Sequence, residues 1–197
     1  MPVAAGPKSL DRAVLWLILA APLGVQTWRF AADQIYYGEY LHWTGQWGAR
    51  LLLATLLVSA LRRFMPRART TLWLSRRRRD LGLVTFAFAA AHVVAYVWRK
   101  GDIGLIVTEA LDAGLATGWV AGIVFLALAL TSNDASVRRL GRRWHALHRF
   151  VYPAAVLTFA HWVLTAFDPT AGWLHAVALL ALLLLRLDLR RQRSPGP

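Results

Sequence analysis

The chain of 197 residues is 57% hydrophobic and only 17% charged, which is too apolar for an ordinary soluble domain and falls in the range of membrane proteins. Its formal charge of +13 comes from 23 basic and 10 acidic residues. The charge sits in blocks between apolar runs, such as Arg76–Arg77–Arg78–Arg79, so basic membrane loops are the reading and nucleic-acid binding is set aside. Cysteine is absent, which removes disulfides, thiolate-held iron–sulfur clusters and covalent C-x-x-C-H haem attachment.

A bilayer crossing needs about 17–25 apolar residues. Runs of that kind lie at 13–32, 45–61, 81–98, 115–131, 149–167 and 172–187. The first follows Lys8 and Arg12 and superficially resembles a signal peptide, but it runs on to Ala32 and further spans follow. It is therefore expected to stay as an uncleaved helix. The ends, around Pro2 to Pro7 and Ser194 to Pro197, are expected to fray.

Charge orients the spans. The second connection carries Arg62, Arg63, Arg67, Arg69 and Arg76 through Arg79; the fourth carries Arg138, Arg139, Arg142 and Arg143; the tail adds Arg190, Arg191 and Arg193. The opposite connections hold Arg29, Arg99 and Lys100, offset by Asp33, Glu39, Asp102, Glu109 and Asp112. Positive loops stay cytoplasmic, so both termini are expected inside. Trp28, Trp43, Trp47, Trp98, Trp119, Trp162 and Trp173 fall near the outer span ends, as an interfacial aromatic belt would. The expected fold is an all-α, six-helix transmembrane bundle, a single integral membrane domain over residues 1–197.

His92, His148 and His161 lie inside or at the edge of these runs, where an ionisable side chain marks a functional site by default. The third span follows Asp80, read as its N-cap. His92 is twelve residues beyond it, about 18 Å deep at 1.5 Å per residue. His148 sits at the cytoplasmic mouth of the fifth span, and His161 lies thirteen residues on, about 19–20 Å deeper. His92 and His161 are therefore level in the outer half of the membrane. Two neutral imidazoles so placed suit the two faces of one haem iron; interhelical hydrogen bonding is the bland alternative. His148 reads either as a ligand to a second haem iron or as a cytoplasmic interface residue. Thirteen residues also leave it about 140° from His161 around an ideal helix, and Pro153 supplies a cause for distortion between them. His145 is expected to face headgroups and His42 an outer loop, while His175 is the replacement should one ligand be wrong. Ala89–Ala90–Ala91 and Ala160 would let a flat macrocycle approach, although small residues are ordinary at membrane helix contacts.

The ten carboxylates fall at span ends or in loops, which argues against a proton pump or cation-coupled transporter. There is no G-x-G-x-x-G or P-loop fingerprint and no soluble domain for a nicotinamide site. Electrons would come from another protein or from quinol, and no residue is assigned a catalytic role.

Two stretches carry a family resemblance. Thr44-Gly45-x-Trp47-x-x-Arg50 is followed by Arg78-x-x-Leu81-Gly82-Leu83 leading to His92. Leu130-Thr131-Ser132 precedes Arg138-Arg139-Leu140-Gly141-x-x-Trp144-x-x-Leu147-His148-Arg149-x-Val151-Tyr152, which leads to His161. Together they resemble the MsrQ (YedZ) family over roughly residues 44–162, with departures at Ala60 and Trp162, where the family often has proline and tyrosine. The resemblance implies a ferric-reductase-like fold in the bacterial inner membrane, b-type haem (one or two) with His92, His148 and His161 at the ligand positions, and FMN in at least some members. It also implies delivery of electrons to a periplasmic molybdopterin-containing methionine-sulfoxide reductase, which repairs oxidised envelope proteins. The donor would be quinol or a cytoplasmic flavin reductase. A stand-alone ferric or quinone reductase on the same fold, and a haem-free membrane scaffold, are the competing readings.

Overall fold

The structure is a computed structural model that describes residues 7–191; the outermost termini, including Arg193, lie outside the described residues. Its elements are α1 (Pro7–Ala31), α2 (Tyr37–Phe64), α3 (Arg69–Lys100), α4 (Ile103–Glu109), α5 (Ala113–Leu130), α6 (Asp134–Leu140), α7 (Arg142–His148), α8 (Val151–Thr165) and α9 (Thr170–Arg191). The described residues form no strand. Four helices carry an apolar stretch long enough to cross a bilayer: Leu10–Ala31, Arg69–Lys100, Ala113–Leu130 and Thr170–Leu187. The second and fifth expected spans fall short of that measure for separate reasons. α2 is long but carries Glu39, Gln46, Arg50 and Arg62 among its apolar residues, and α8 has only 15 residues, about 22 Å of helix.

Neighbouring helices run antiparallel. Gly45 of α2 faces His92 of α3 and Gly48 faces Phe88, so rising numbers on one meet falling numbers on the other. α5 and α8 pair the same way, with Gly114 against Thr165 and Gly118 against His161. The end holding the C-terminus of α3 is called the upper end below.

The local chemistry explains the element boundaries. Asp112 starts α5 by accepting from the amides of Gly114 and Leu115, and Asp102 starts α4 by accepting from Leu105. Gly101 ends α3 at φ 65°, a left-handed conformation that glycine adopts without a Cβ penalty. Gly141, at φ 52°, makes the corner between α6 and α7.

Three expectations are corrected. Asp80 is not an N-cap: nothing between Arg69 and Asp80 breaks a helix, so α3 extends well below the apolar run. Asp80 lies within it, 4% exposed, and its Oδ1 accepts from Arg12 Nε and Nη2 and from Trp16 Nε1, tying α1 to α3. Pro153 does not kink one continuous helix. The chain breaks into α7 and α8, with Arg149, Phe150 and Tyr152 amides bonding three residues back, and Pro153 sits in the first turn of α8, where its missing N–H is no loss. Trp162 is not a belt residue: it is buried with Phe159, Leu52, Leu56 and Leu179 in the core that joins α2, α8 and α9. Trp28, Trp98 and Trp173 are exposed.

Large apolar side chains such as Leu17, Ile18, Ile123 and Leu180 point outward, while the helix contacts combine buried Phe88, Phe159 and Leu56 with small residues such as Gly48, Gly114 and Gly118. An apolar outer surface with small residues at helix contacts suits lipid, where close packing rather than expulsion of water holds helices together. Gly114, Gly118 and Gly122 recur every four residues on α5, and the first two lie directly against α8.

Candidate functional site

At the upper end α2, α3, α5 and α8, with Glu109 of α4, line a half-open cavity of about 530 Å³. His92 from α3 and His161 from α8 both line it, 6.2 Å apart between ring centres with their planes at 88°. The two expected partners are therefore together.

Each ring is held by its Nδ1. His92 Nδ1 lies 2.9 Å from the Leu41 carbonyl, with Thr44 Oγ1 at 3.5 Å. His161 Nδ1 lies 2.9 Å from the Gly114 carbonyl. A carbonyl only accepts, so both Nδ1 atoms carry the proton, and in the neutral ring the lone pair is left on Nε2. This is how metal-binding imidazoles are commonly oriented: the far nitrogen fixes tautomer and direction, and the near one binds.

If a haem were bound here, His92 and His161 would be the side chains to hold its iron, through Nε2, and the haem would supply one-electron chemistry. Among the described residues no group of three or more His, Cys, Asp or Glu side chains could hold a metal by itself.

Two glycines make room for the rings, and their role was not drawn from the sequence. A Cβ on Gly118 would lie 2.7 Å from His161 Nδ1, and one on Gly45 would lie 3.2 Å from His92 Nδ1 and Cε1. The four-residue glycine spacing on α5 was the available signal. Gly45 belongs to the Thr44-Gly45-x-Trp47 motif, and the His92 imidazole packed against it accounts for a glycine there.

His148 lies elsewhere. It ends α7 at the lower end and does not line the cavity. Its Nε2 is 3.1 Å from Thr131 Oγ1, whose own proton goes to the Ala127 carbonyl at 2.7 Å, so His148 Nε2–H donates to Thr131. The ring stacks on Trp144, 3.8 Å between centres, and Trp144 Nε1 donates to the Thr131 carbonyl. Burial, helped by His145, Arg78 and Arg79, lowers the His148 pKa from its ordinary value. The motif residues Thr131, Trp144 and His148 thus form a joint that closes the C-terminus of α5. Of the others, His42 pairs with Gln46 at the cavity's rim. His175 donates to the Ala171 carbonyl and packs on Trp162 away from the cavity. His145 is exposed beside Trp144.

The family described as ferric reductase like transmembrane component matches residues 44–159. The protein-methionine-sulfoxide reductase heme-binding subunit MsrQ of Cronobacter sakazakii is 37% identical over 91% of this chain and 87% of its own length. Its namesake in Pectobacterium atrosepticum is 38% identical over 91% and 87%, and that of Yersinia pseudotuberculosis 38% over 89% and 84%. No solved structure matches the chain significantly. The chain is thus a multi-pass membrane protein of the ferric-reductase-like class, and it belongs to the MsrQ family.

Proposed function

We propose that the chain is a haem-bearing electron-transfer subunit of the inner membrane, passing electrons from the cytoplasmic or quinone side to a periplasmic molybdopterin-containing methionine-sulfoxide reductase. One observation carries the reading: His92 and His161 share a cavity with their Nδ1 atoms tied to carbonyls and their Nε2 lone pairs left over. The names of the relatives supply the system and the word heme. Bound there, a b-type haem supplies reversible one-electron chemistry between ferric and ferrous iron. The protein's part is to hold two neutral imidazoles in fixed tautomers and to surround them with apolar, water-poor walls. Sulfoxide reduction belongs to the separate subunit.

In this reading residues 1–197 form one integral domain of six spans, α1, α2, α3, α5, α8 and α9, with both termini cytoplasmic. The upper end then faces the periplasm, next to the acceptor. His148 faces the cytoplasm, where it serves electron entry, either as ligand to a second haem iron or as part of the joint. FMN enters by family resemblance alone.

The absorption spectrum of detergent-purified protein tests the reading. A Soret band that sharpens and shifts on dithionite reduction supports it; no band after haem-sufficient expression supports the scaffold instead. Electrons should reach the periplasmic molybdoenzyme faster than ferric chelates, which separates it from a stand-alone reductase. A reporter after Arg193 should behave as cytoplasmic and one near Asp102 as periplasmic; the reverse would invert the orientation.

A further inference from the structure

Of the residues lining the cavity, Lys100 and Glu109 are the two that carry a full charge, and they sit together at its upper end. Lys100 is eight residues beyond His92 on α3, about 12 Å further up the helix. Its Nζ donates to Glu109 Oε1 while Tyr96 Oη donates to Glu109 Oε2 at 2.7 Å. The ammonium also lies 5.8 Å from the centre of the Tyr96 ring. Tyr37 also lines the cavity. The other walls are mainly apolar or small, among them Leu52, Ala89, Val93, Leu115 and Gly122.

A porphyrin bound between His92 and His161 has two edge carboxylates, and ionised carboxylates are not tolerated against hydrocarbon without a partner. The charged end of the cavity is where they can go. An ammonium has three N–H donors, and the bond to Glu109 uses one, leaving two for a further acceptor.

We infer that Lys100, held across the cavity mouth by Glu109 and Tyr96, is the counter-ion for a carboxylate of the porphyrin that His92 and His161 sandwich. The inference rests on the proposed function. It makes the cavity a site with a direction: carboxylates up, apolar edge down between α2, α3, α5 and α8. Glu109 acts as a positioning residue; its carboxyl, held below the usual range by the Lys100 and Tyr96 hydrogen bonds, stays ionised at neutral pH.

The test is a cycle on both protein and ligand. Full-length chain made under haem limitation is titrated in detergent with iron protoporphyrin IX and with its dimethyl ester, reading the low-spin Soret absorbance. Lys100→Met should weaken binding of the diacid about tenfold and leave the ester within about twofold, while Lys100→Arg retains most of the preference. Taking the ratio of ratios cancels any difference in how the two porphyrins partition into micelles. Equal weakening of both porphyrins would make Lys100 a structural tie between α3 and α4 and overturn the inference, as would no weakening of either. If the wild-type chain gives no low-spin spectrum with either porphyrin, the proposed function falls. If it binds both and the cycle shows no coupling, only the inference falls.

Discussion

The upper and lower ends of the bundle each carry histidine against the end of α5, yet they use opposite nitrogens. At the upper end His92 and His161 donate from Nδ1 to backbone carbonyls, facing a shared cavity. At the lower end His148 donates from Nε2 to Thr131 and lies flat on Trp144, which in turn caps the Thr131 carbonyl. The first arrangement leaves a lone pair for a ligand; the second directs that lone pair to Nδ1 and uses the ring as packing. If the upper pair holds a metal, the nitrogen that the protein leaves over, more than depth or burial, is what fits these two rings for it.

The sharpest way to break this contrast is to remove the rings themselves. His92→Ala or His161→Ala should abolish nearly all low-spin haem in purified protein, measured as Soret absorbance per chain, whereas His148→Ala should retain most of it. Next comes the space around the rings. Gly118→Ala places a methyl 2.7 Å from His161 Nδ1, and overpacking of that kind costs about 1–3 kcal/mol. It should lower haem affinity roughly tenfold or more, and Gly45→Ala, with its 3.2 Å contact, distinctly less. Thr131→Val removes the acceptor of His148 Nε2–H and should cost about 1 kcal/mol. It should shorten the lifetime of the fold in harsh detergent without changing the spectrum.

The smallest effect is that of pH on the lower joint. The His148 pKa in the folded protein lies below its ordinary value of 6.5. The unfolded state therefore takes up the proton first as pH falls. Its contribution is complete above about 6.5 and is lost progressively on the acid side of that value. The detergent lifetime should decline there in the wild type and be flatter in His148→Gln.

Much of this was legible in the sequence because membrane helices leave few options. Runs of apolar residues and the similar spacing of His92 and His161 along their spans anticipate that the two rings lie together. Asp102, Asp112, Gly101 and Gly141 mark their boundaries by ordinary capping and turn chemistry. Asp80 was misread because its capping chemistry is local, whereas its real partners, Arg12 and Trp16, come from α1. Trp162 was misread because position near a span end does not tell a lipid-facing indole from one turned inward onto Phe159. The protonation pattern was out of reach, since it depends on which carbonyl or hydroxyl the fold brings to each imidazole.

The measurement that bears most directly on the proposed pairing of His92 and His161 is the electron paramagnetic resonance spectrum of the oxidised, haem-loaded protein, wild type and His148→Ala side by side. The His92 and His161 ring planes stand at 88°; were both rings to hold one haem iron at that angle, the two d orbitals they act on would stay nearly degenerate. A low-spin ferric centre of that kind gives one strongly displaced large-g feature in place of three well-resolved g values. That feature should appear in both proteins at similar intensity and vanish in His92→Ala. Its loss in His148→Ala with survival in His92→Ala would contradict the pairing.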